Sequence, residues 1–439
     1  MSFNGKKVAF YTLGCKVNQY ESESIKNQLV KIGYEEESFE NSADIYIVNS
    51  CTVTSVADKK TRNILRRAKK LNPKSVVIVT GCYAQTNSKE LLEIEEIDFV
   101  VGNSNKSGLV EFIKDIENKK SKILSENIFE DREYEEYEFA TLREMSRAYI
   151  KIQDGCNNFC SYCKIPFGRG KSRSRSLESI CKEVDVLTKE GFKEFIIIGI
   201  NLGAYGEDLK DDLNLEILLE KVLEREGVER VRIGSMYPDK ISDEFIELMK
   251  NNKKLMPHLH ISLQSCDDNV LERMRRKYGA SLIEDRLMAL RNNIEKMEYT
   301  ADVIVGFPGE TDEMFENTYS LIKKIGFSDL HVFQYSDREN TLASTFTDKI
   351  DGTVKKKRAE KLNELRHEMA INRREKYIGK ELEVLVEEIK EDGCSYGYTE
   401  NYLRVKTLNS ISQVNELKKI EISKLEKELL IGNEEGIKN

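Results

Sequence analysis

No stretch of this chain approaches the ~18 consecutive apolar residues that a membrane-spanning helix needs. The N-terminus, "MSFNGKKVAFYTLGC", lacks a signal-peptide layout, because its short apolar run passes straight into polar residues. Histidine is scarce, with four in 439 residues, at 258, 260, 331 and 367. Positive charge is not in excess either. The formal net charge is -8, so any nucleic-acid partner has to be held by local basic patches. Repeats and low-complexity tracts are also missing. These absences point to a cytoplasmic protein with no membrane partner. The chain is 39% hydrophobic and 33% charged, an ordinary globular composition, and its length suggests two to four domains.

Cysteine is not scarce: there are nine. An odd count in a long chain without a secretory leader argues against a disulfide framework and for metal or redox chemistry. Residues 155–175, "GCNNFCSYCKIPFGRGKSRSR", place Cys156, Cys160 and Cys163 in a C-x3-C-x2-C spacing. A closed zinc site would need a fourth Cys or His, and no histidine lies in this segment. Three thiolates on a 4Fe–4S cubane leave one iron open to a cofactor or substrate.

Residues 1–116 alternate strand and helix patterns, the mark of a parallel sheet. Three expected strands, "KKVAFYTLGC", "ADIYIVNSC" and "SVVIVTGC", each end in a cysteine: Cys15, Cys51 and Cys82. Ligands converge at the carboxyl ends of parallel strands, so the three can meet although 36 and 31 residues separate them. A common buried residue at strand ends is the plainer reading of any one of them.

Residues 117–146 break the pattern. Between 125 and 139, Glu126, Glu130, Asp131, Glu133, Glu135, Glu136 and Glu138 face a single arginine, which predicts a solvated acidic linker or edge segment. From 147 to 375 a second series, including "RAYIKIQ", "EFIIIGI", "RVRIGSM", "LHISLQS", "TADVIVGF" and "DLHVFQYS", predicts a partial six-unit α/β barrel with its chemistry at the strand carboxyl ends. Residues 353–378 read as a long helix with nine Lys/Arg against four Glu. After it, residues 376–439 show period-two alternation with Gly and Asn turns, which predicts a small all-β barrel. The fold class is therefore α/β with an appended β module.

"CNNFCSYC", with Tyr162 before the last cysteine, resembles the radical S-adenosylmethionine signature. "TLGCKVNQYES", "PHLHISLQS" and "DVIVGFPGETDEMF" resemble the methylthiotransferase branch of that superfamily, and the resemblance spans essentially the whole chain. It implies an N-terminal methylthiotransferase domain, a radical core and a TRAM-type RNA-binding module. It implies that Cys156, Cys160 and Cys163 hold a 4Fe–4S cluster that chelates S-adenosylmethionine, cleaved to a 5'-deoxyadenosyl radical with an electron from an external one-electron donor. It implies that Cys15, Cys51 and Cys82 hold a second 4Fe–4S cluster that serves sulfur insertion, with the methyl group drawn from a second S-adenosylmethionine. Tyr162, in the cysteine loop and expected against the adenine, and Gly199, Ser235, Gln264 and Ile304, at carboxyl ends of barrel strands, are the expected cofactor-binding residues.

The Lys-Val-Asn-Gln-Tyr of "TLGCKVNQYES" differs from the Met-Asn form of the isopentenyladenosine enzymes, so the resemblance favours the branch that methylthiolates N6-threonylcarbamoyladenosine beside the tRNA anticodon. Isopentenyladenosine in tRNA and an aspartate in a small-subunit ribosomal protein stay open as substrates. A zinc-bearing RNA-binding protein is the non-enzymatic alternative. Expected RNA contacts are the basic run Arg169, Lys171, Arg173 and Arg175, and Tyr398, Tyr402 and Arg404 of the β module. Cys181, Cys266 and Cys394 are expected to be structural, as are His258 and His260. Cys266 stands where the family pattern has Gly. Lys164, Gln334, Asp337 and Glu339 also depart from that pattern.

Overall fold

A computed structural model describes residues 5–118, 121–130, 133–137, 146–408 and 412–434. The N-terminal unit is a parallel six-stranded sheet in the order Glu35–Glu37, Lys7–Thr12, Ile45–Ser50, Val76–Gly81, Phe99–Val101, Ile123–Leu124. Alternate residues feed two apolar layers, with Tyr46, Val48, Val77 and Val79 in one and Ile45, Ile47 and Ile78 in the other. Burial on both faces is why these strands read as continuous apolar runs rather than alternating ones. Helices Lys16–Lys31 and Ser55–Leu71 connect the three strands, the second opening on a Thr54 side-chain cap to the Ala57 amide.

The expected acidic linker or edge segment supplies the edge strand of the sheet, Ile123–Leu124. Within residues 133–137 Glu133 and Glu136 are exposed, but the segment is packed rather than fully solvated: Tyr137 is buried, and Tyr134 Oη donates to the Lys151 carbonyl at 3.2 Å. Asp131, Arg132 and Glu138 lie outside the described residues.

Six parallel strand positions form the open barrel. Arg147–Lys151, Glu194–Ile198 and Arg230–Ile233 make one sheet. Ser235–Met236, His258–Gln264, Glu298–Val305 and Asp329–Gln334 make the other. The third strand is interrupted at Gly234 and hands over from one sheet to the other. Ile150, Phe195, Ile197, Val231, Leu259, Ile261 and Val303 pack outward with the helices in the largest core. Period two then turns Tyr149, Lys151, Glu194, Arg232, His258, His260, Thr300 and Asp302 to the opposite, inner face. The long helix Gly352–Glu375 closes the series, burying Leu362, Leu365 and Met369.

The C-terminal module is a closed five-stranded barrel of Glu381–Ile389, Ser395–Thr399, Arg404–Leu408, Leu417–Glu426 and Leu429–Glu434. It docks where the barrel strands begin. Arg230 Nη2 donates to the Glu383 carbonyl at 2.9 Å, Arg232 Nη2 to the Thr399 carbonyl at 2.6 Å, and Asn401 Nδ2 to the Lys296 carbonyl at 3.3 Å. The N-terminal domain covers the other end, where the strands finish.

Candidate functional site: two cysteine triads across a domain seam

Each upstream cysteine sits where a strand stops. Cys15 is the N-cap of helix Lys16–Lys31, and Cys82 opens the short helix Cys82–Thr86. Two glycines make these turns possible. Gly14 (φ +98) precedes Cys15, and a Cβ there would meet the Cys51 Cβ at 2.8 Å and Sγ at 3.0 Å. Gly81 (φ +96) lies against the Ser50 carbonyl, which a Cβ would meet at 2.3 Å. Asn18, one turn into the helix, donates to the Leu13 carbonyl at 2.7 Å and the Ser50 carbonyl at 3.1 Å, pinning two strand ends together. The motif "GCKVNQ" is therefore a clamp that converges Cys15 and Cys51.

The downstream triad lies on the loop after the first barrel strand. The Cys163 amide donates to the Cys160 carbonyl at 2.9 Å, and the Ile165 amide to Cys163 Sγ at 3.4 Å. Helix Ile165–Arg169 begins two residues after Cys163 and brings Gly168 against Cys82, whose Cβ a Gly168 Cβ would meet at 3.1 Å. Asn103 Nδ2 bridges the same place, donating to the Gly168 carbonyl at 2.6 Å and towards Cys82 Sγ at 3.5 Å. The helix that follows the downstream triad thus packs against Cys82 of the upstream one.

Burial pushes the thiols of Cys51 and Cys163 up to about 12 and raises those of Cys15 and Cys156. Neighbouring cysteines add to the rise in each case. A metal centre bound as thiolates must therefore displace protons. Among the described residues, one set of His, Cys, Asp and Glu brings three ligand atoms within 4.8 Å of one another: His260, Asp302 and His331. Neither cysteine triad is drawn so tight. Zn–S bonds of about 2.3 Å would require sulfurs closer than that, so the triads suit a cluster better than a single zinc.

The basic run is corrected by its burial. Arg169 is 2% exposed; its Nη1 donates to Glu21 and to Asp154 at 2.9 Å, and its Nη2 to Asn18 Oδ1 at 2.5 Å. Lys106 and Lys151 each reach Glu21 at 2.7 Å. Burial opposes the Glu21 charge, but Arg169, Lys106 and Lys151 outweigh it and hold the carboxyl well below its usual range. Arg175 is buried on Glu183 and Glu136, and Arg173 on the Arg169 carbonyl at 3.1 Å. These three arginines join domains or core elements and do not face RNA; Lys171 is exposed.

Tyr398 and Tyr402 are corrected likewise. They stack on each other at 4.7 Å, with Arg147 4.9 Å from the Tyr398 ring, and Tyr402 lies 4.7 Å from His258 and 5.1 Å from Arg232. They belong to the interface between module and barrel. Arg404 is exposed and, with Lys390 and Lys406, surrounds Tyr396 at 4.6–5.8 Å. Period-two alternation shows this face in the sequence, but not which face docks.

Among the expected cofactor residues, Tyr162 and Ile304 meet in one apolar cluster with Phe307. Arg276 Nη2 donates to Tyr162 Oη at 2.6 Å. Gly199 follows the strand Glu194–Ile198 and packs on Leu202 and Gln153, and Ser235 is exposed where the third strand resumes. Gln264 takes φ +68 at a strand end where the register shifts, a strained conformation of a kind that collects at binding sites. A cavity of about 150 Å3 adjoins this region, lined by Asn157, Cys160, Asn201, Tyr237 and Arg276. Arg276 carried no signal in the sequence. Cys266 is buried in the core, with its amide on Thr318 Oγ1 at 3.0 Å, and Cys394 is buried at the start of a module strand.

An open parallel barrel with a three-cysteine loop at its strand ends defines a radical S-adenosylmethionine enzyme. Residues 150–322 match the Radical SAM superfamily, and residues 7–102 match the family described as Uncharacterized protein family UPF0004. The chain is 42% identical to threonylcarbamoyladenosine tRNA methylthiotransferase MtaB of Bacillus subtilis (strain 168), over 95% of this chain and 94% of that protein. It is 36% identical to tRNA-2-methylthio-N(6)-dimethylallyladenosine synthase of Fusobacterium nucleatum, over 87% and 88%. The radical S-adenosylmethionine methyltransferase TsrM from Kitasatospora setae shares the fold, with a TM-score of 0.56 at 14% identity over 75% of each chain. The chain belongs to the radical S-adenosylmethionine methylthiotransferase family. It is an enzyme, and its cofactors are S-adenosylmethionine and 4Fe–4S clusters, which sets the zinc-protein alternative aside. No helix among the described residues is long and apolar enough to cross a membrane.

Proposed function

We propose that the protein methylthiolates C2 of N6-threonylcarbamoyladenosine beside the anticodon of tRNA, in the cytoplasm. The observation that carries this reading is the packing of the helix after Cys163 on the upstream triad, with Gly168 seated on Cys82. A reaction that makes a carbon radical and then joins sulfur to the same carbon needs both centres at one place. Cys156, Cys160 and Cys163 are assigned the cluster that takes S-adenosylmethionine on its open iron, and Cys15, Cys51 and Cys82 the cluster for sulfur insertion. Bound there, the cofactors supply the radical that removes hydrogen from an unreactive aromatic C–H, with an external one-electron donor.

The rest falls to this chain. Tyr162, Gly199, Ser235, Gln264 and Ile304, with the cavity beside Cys160, would orient the cofactor. The Glu21–Arg169 seam fixes the distance between triads. The division of labour is a sulfur-insertion domain up to about residue 124, a radical core over 147–375 and an RNA-binding module from 376. In that module Tyr396 with Lys390, Arg404 and Lys406 offers the stacking and phosphate contacts that Tyr398 and Tyr402 do not. The likeness to the Bacillus subtilis protein and the lysine after Cys15 favour the threonylcarbamoyl substrate over isopentenyladenosine and over a ribosomal-protein aspartate.

The test is mass analysis of tRNA nucleosides from a deletion strain and its complemented parent. Loss and return of 2-methylthio-N6-threonylcarbamoyladenosine is the expected result. Unchanged levels with loss of the isopentenyl product would overturn the substrate.

A further inference from the structure

Lys16 directly follows Cys15, and both keep solvent-accessible surface although protein lies around them. The Lys16 side chain points into the barrel interior. Its Nζ lies 5.8 Å from the Tyr149 ring centre, and it is close enough to Tyr402, Arg147, Arg232 and Glu194 to interact electrostatically with each. His258 and His331, from the far wall, also feel its charge.

The two arginines beside it have acidic partners. Arg147 pairs with Glu387 at 2.5 Å and Arg232 with Glu194 at 2.6 Å. Lys151 pairs with Glu21 and Asp154, and His260 and His331 share Asp302. Lys16 makes no ion pair among the described residues, and its ammonium faces the Tyr149 ring. Lys16 is exposed, so an ammonium that faces the barrel interior without a protein counter-ion is open to an anion brought by a ligand.

We infer that Lys16 is the receptor for the carboxylate of the N6-threonylcarbamoyl group. This rests on the threonylcarbamoyladenosine reading and deepens it. In adenine, C2 and the N6 substituent leave from the same edge of the ring. With C2 presented to the centre at Cys15, the substituent extends past the next residue, whose flexible four-carbon stem carries a point charge. A dimethylallyl substituent has no charge to offer there. Lys16 is thereby a specificity-determining residue: it selects the acid-tipped substrate and leaves bond making to the cofactors.

The test uses anaerobic holoenzyme without reductant and fluorescent anticodon stem-loops that carry unmodified adenosine, N6-threonylcarbamoyladenosine, or its threoninamide analogue. Kd is read by anisotropy, with iron content and circular dichroism as controls on folding. Wild type should prefer the carboxylate loop over the carboxamide loop by about tenfold, the scale of one charged hydrogen bond. Lys16→Met should abolish that preference while binding the unmodified loop as wild type does, and Lys16→Arg should restore part of it. Equal weakening of all three loops by Lys16→Met would make Lys16 a phosphate contact and overturn the proposal. An unaltered preference in Lys16→Met would overturn it as well. Should the deletion strain lose the isopentenyl product instead, the substrate reading fails first and the proposal with it.

Discussion

Arg169 crosses from the radical core to the N-terminal domain and donates its Nη1 to Glu21 at 2.9 Å. That contact, in a pocket where both side chains are about 2% exposed, joins two folding units into one site together with the contacts of Arg169 to Asn18 and of Lys151 to Glu21.

Glu21→Gln should therefore act on stability before it acts on chemistry. It leaves Arg169, Lys106 and Lys151 buried with one carboxylate fewer, and breaking a buried pair in this way costs about 3–5 kcal/mol. Chemical unfolding of the variant should show that loss, or an earlier transition for the N-terminal domain. A variant as stable as wild type would show that the seam is solvated.

The cysteine triads should separate. Replacing Cys156, Cys160 and Cys163 by Ala is expected to remove roughly half the iron and all S-adenosylmethionine cleavage. Replacing Cys15, Cys51 and Cys82 is expected to leave cofactor cleavage and stop sulfur insertion. Iron and sulfide analysis with 5'-deoxyadenosine assay checks both. Full iron in the upstream triple variant would reduce those cysteines to buried strand ends.

Tyr396→Ala, or Arg404 and Lys406 both to Gln, should weaken tRNA binding, and the double variant should flatten the salt dependence by about two units of slope. Arg169→Lys should leave that slope alone, since Arg169 faces Glu21. Filter binding at several salt concentrations decides between the two surfaces.

Asp302 lies 3.2 Å from His260 Nε2 and 3.1 Å from His331 Nδ1. Its hydrogen bond, opposed by partial burial, raises the pKa of His331. A raised imidazole stabilises the fold fully below its ordinary value of about 6.5, and that contribution is lost as pH rises through the raised value. Wild type should thus exceed Asp302→Asn in stability at mildly acidic pH by more than it does at alkaline pH. A gap that does not change with pH would mean that the His331 ring holds no extra proton.

Much of this site is legible in the chain. Strands that end in Gly-Cys or Ser-Cys, the tight C-x3-C-x2-C loop and the period-two module all follow from short-range rules. What those rules miss is long-range partnership. "GRGKSRSR" has the texture of a phosphate-binding loop because Glu21, 148 residues before Arg169, cannot be seen from the loop itself. The tyrosines of the module are similar: alternation places Tyr398 and Tyr402 on a surface, but the docking of Arg147 and Arg232 decides that it is an interior one.

The two triads also differ in how far apart their members lie along the chain, and during synthesis that distance becomes time. Cys156, Cys160 and Cys163 leave the ribosome within eight residues of one another and can gather iron as soon as their loop is out. Cys15, Cys51 and Cys82 come together only after three strands have paired, and the sheet is complete only with its last strand at Ile123–Leu124. Although its cysteines are made first, the upstream centre depends on a folded domain to exist. In a cell short of iron or slow to fold, the enzyme would be left able to cleave its cofactor and unable to deliver sulfur.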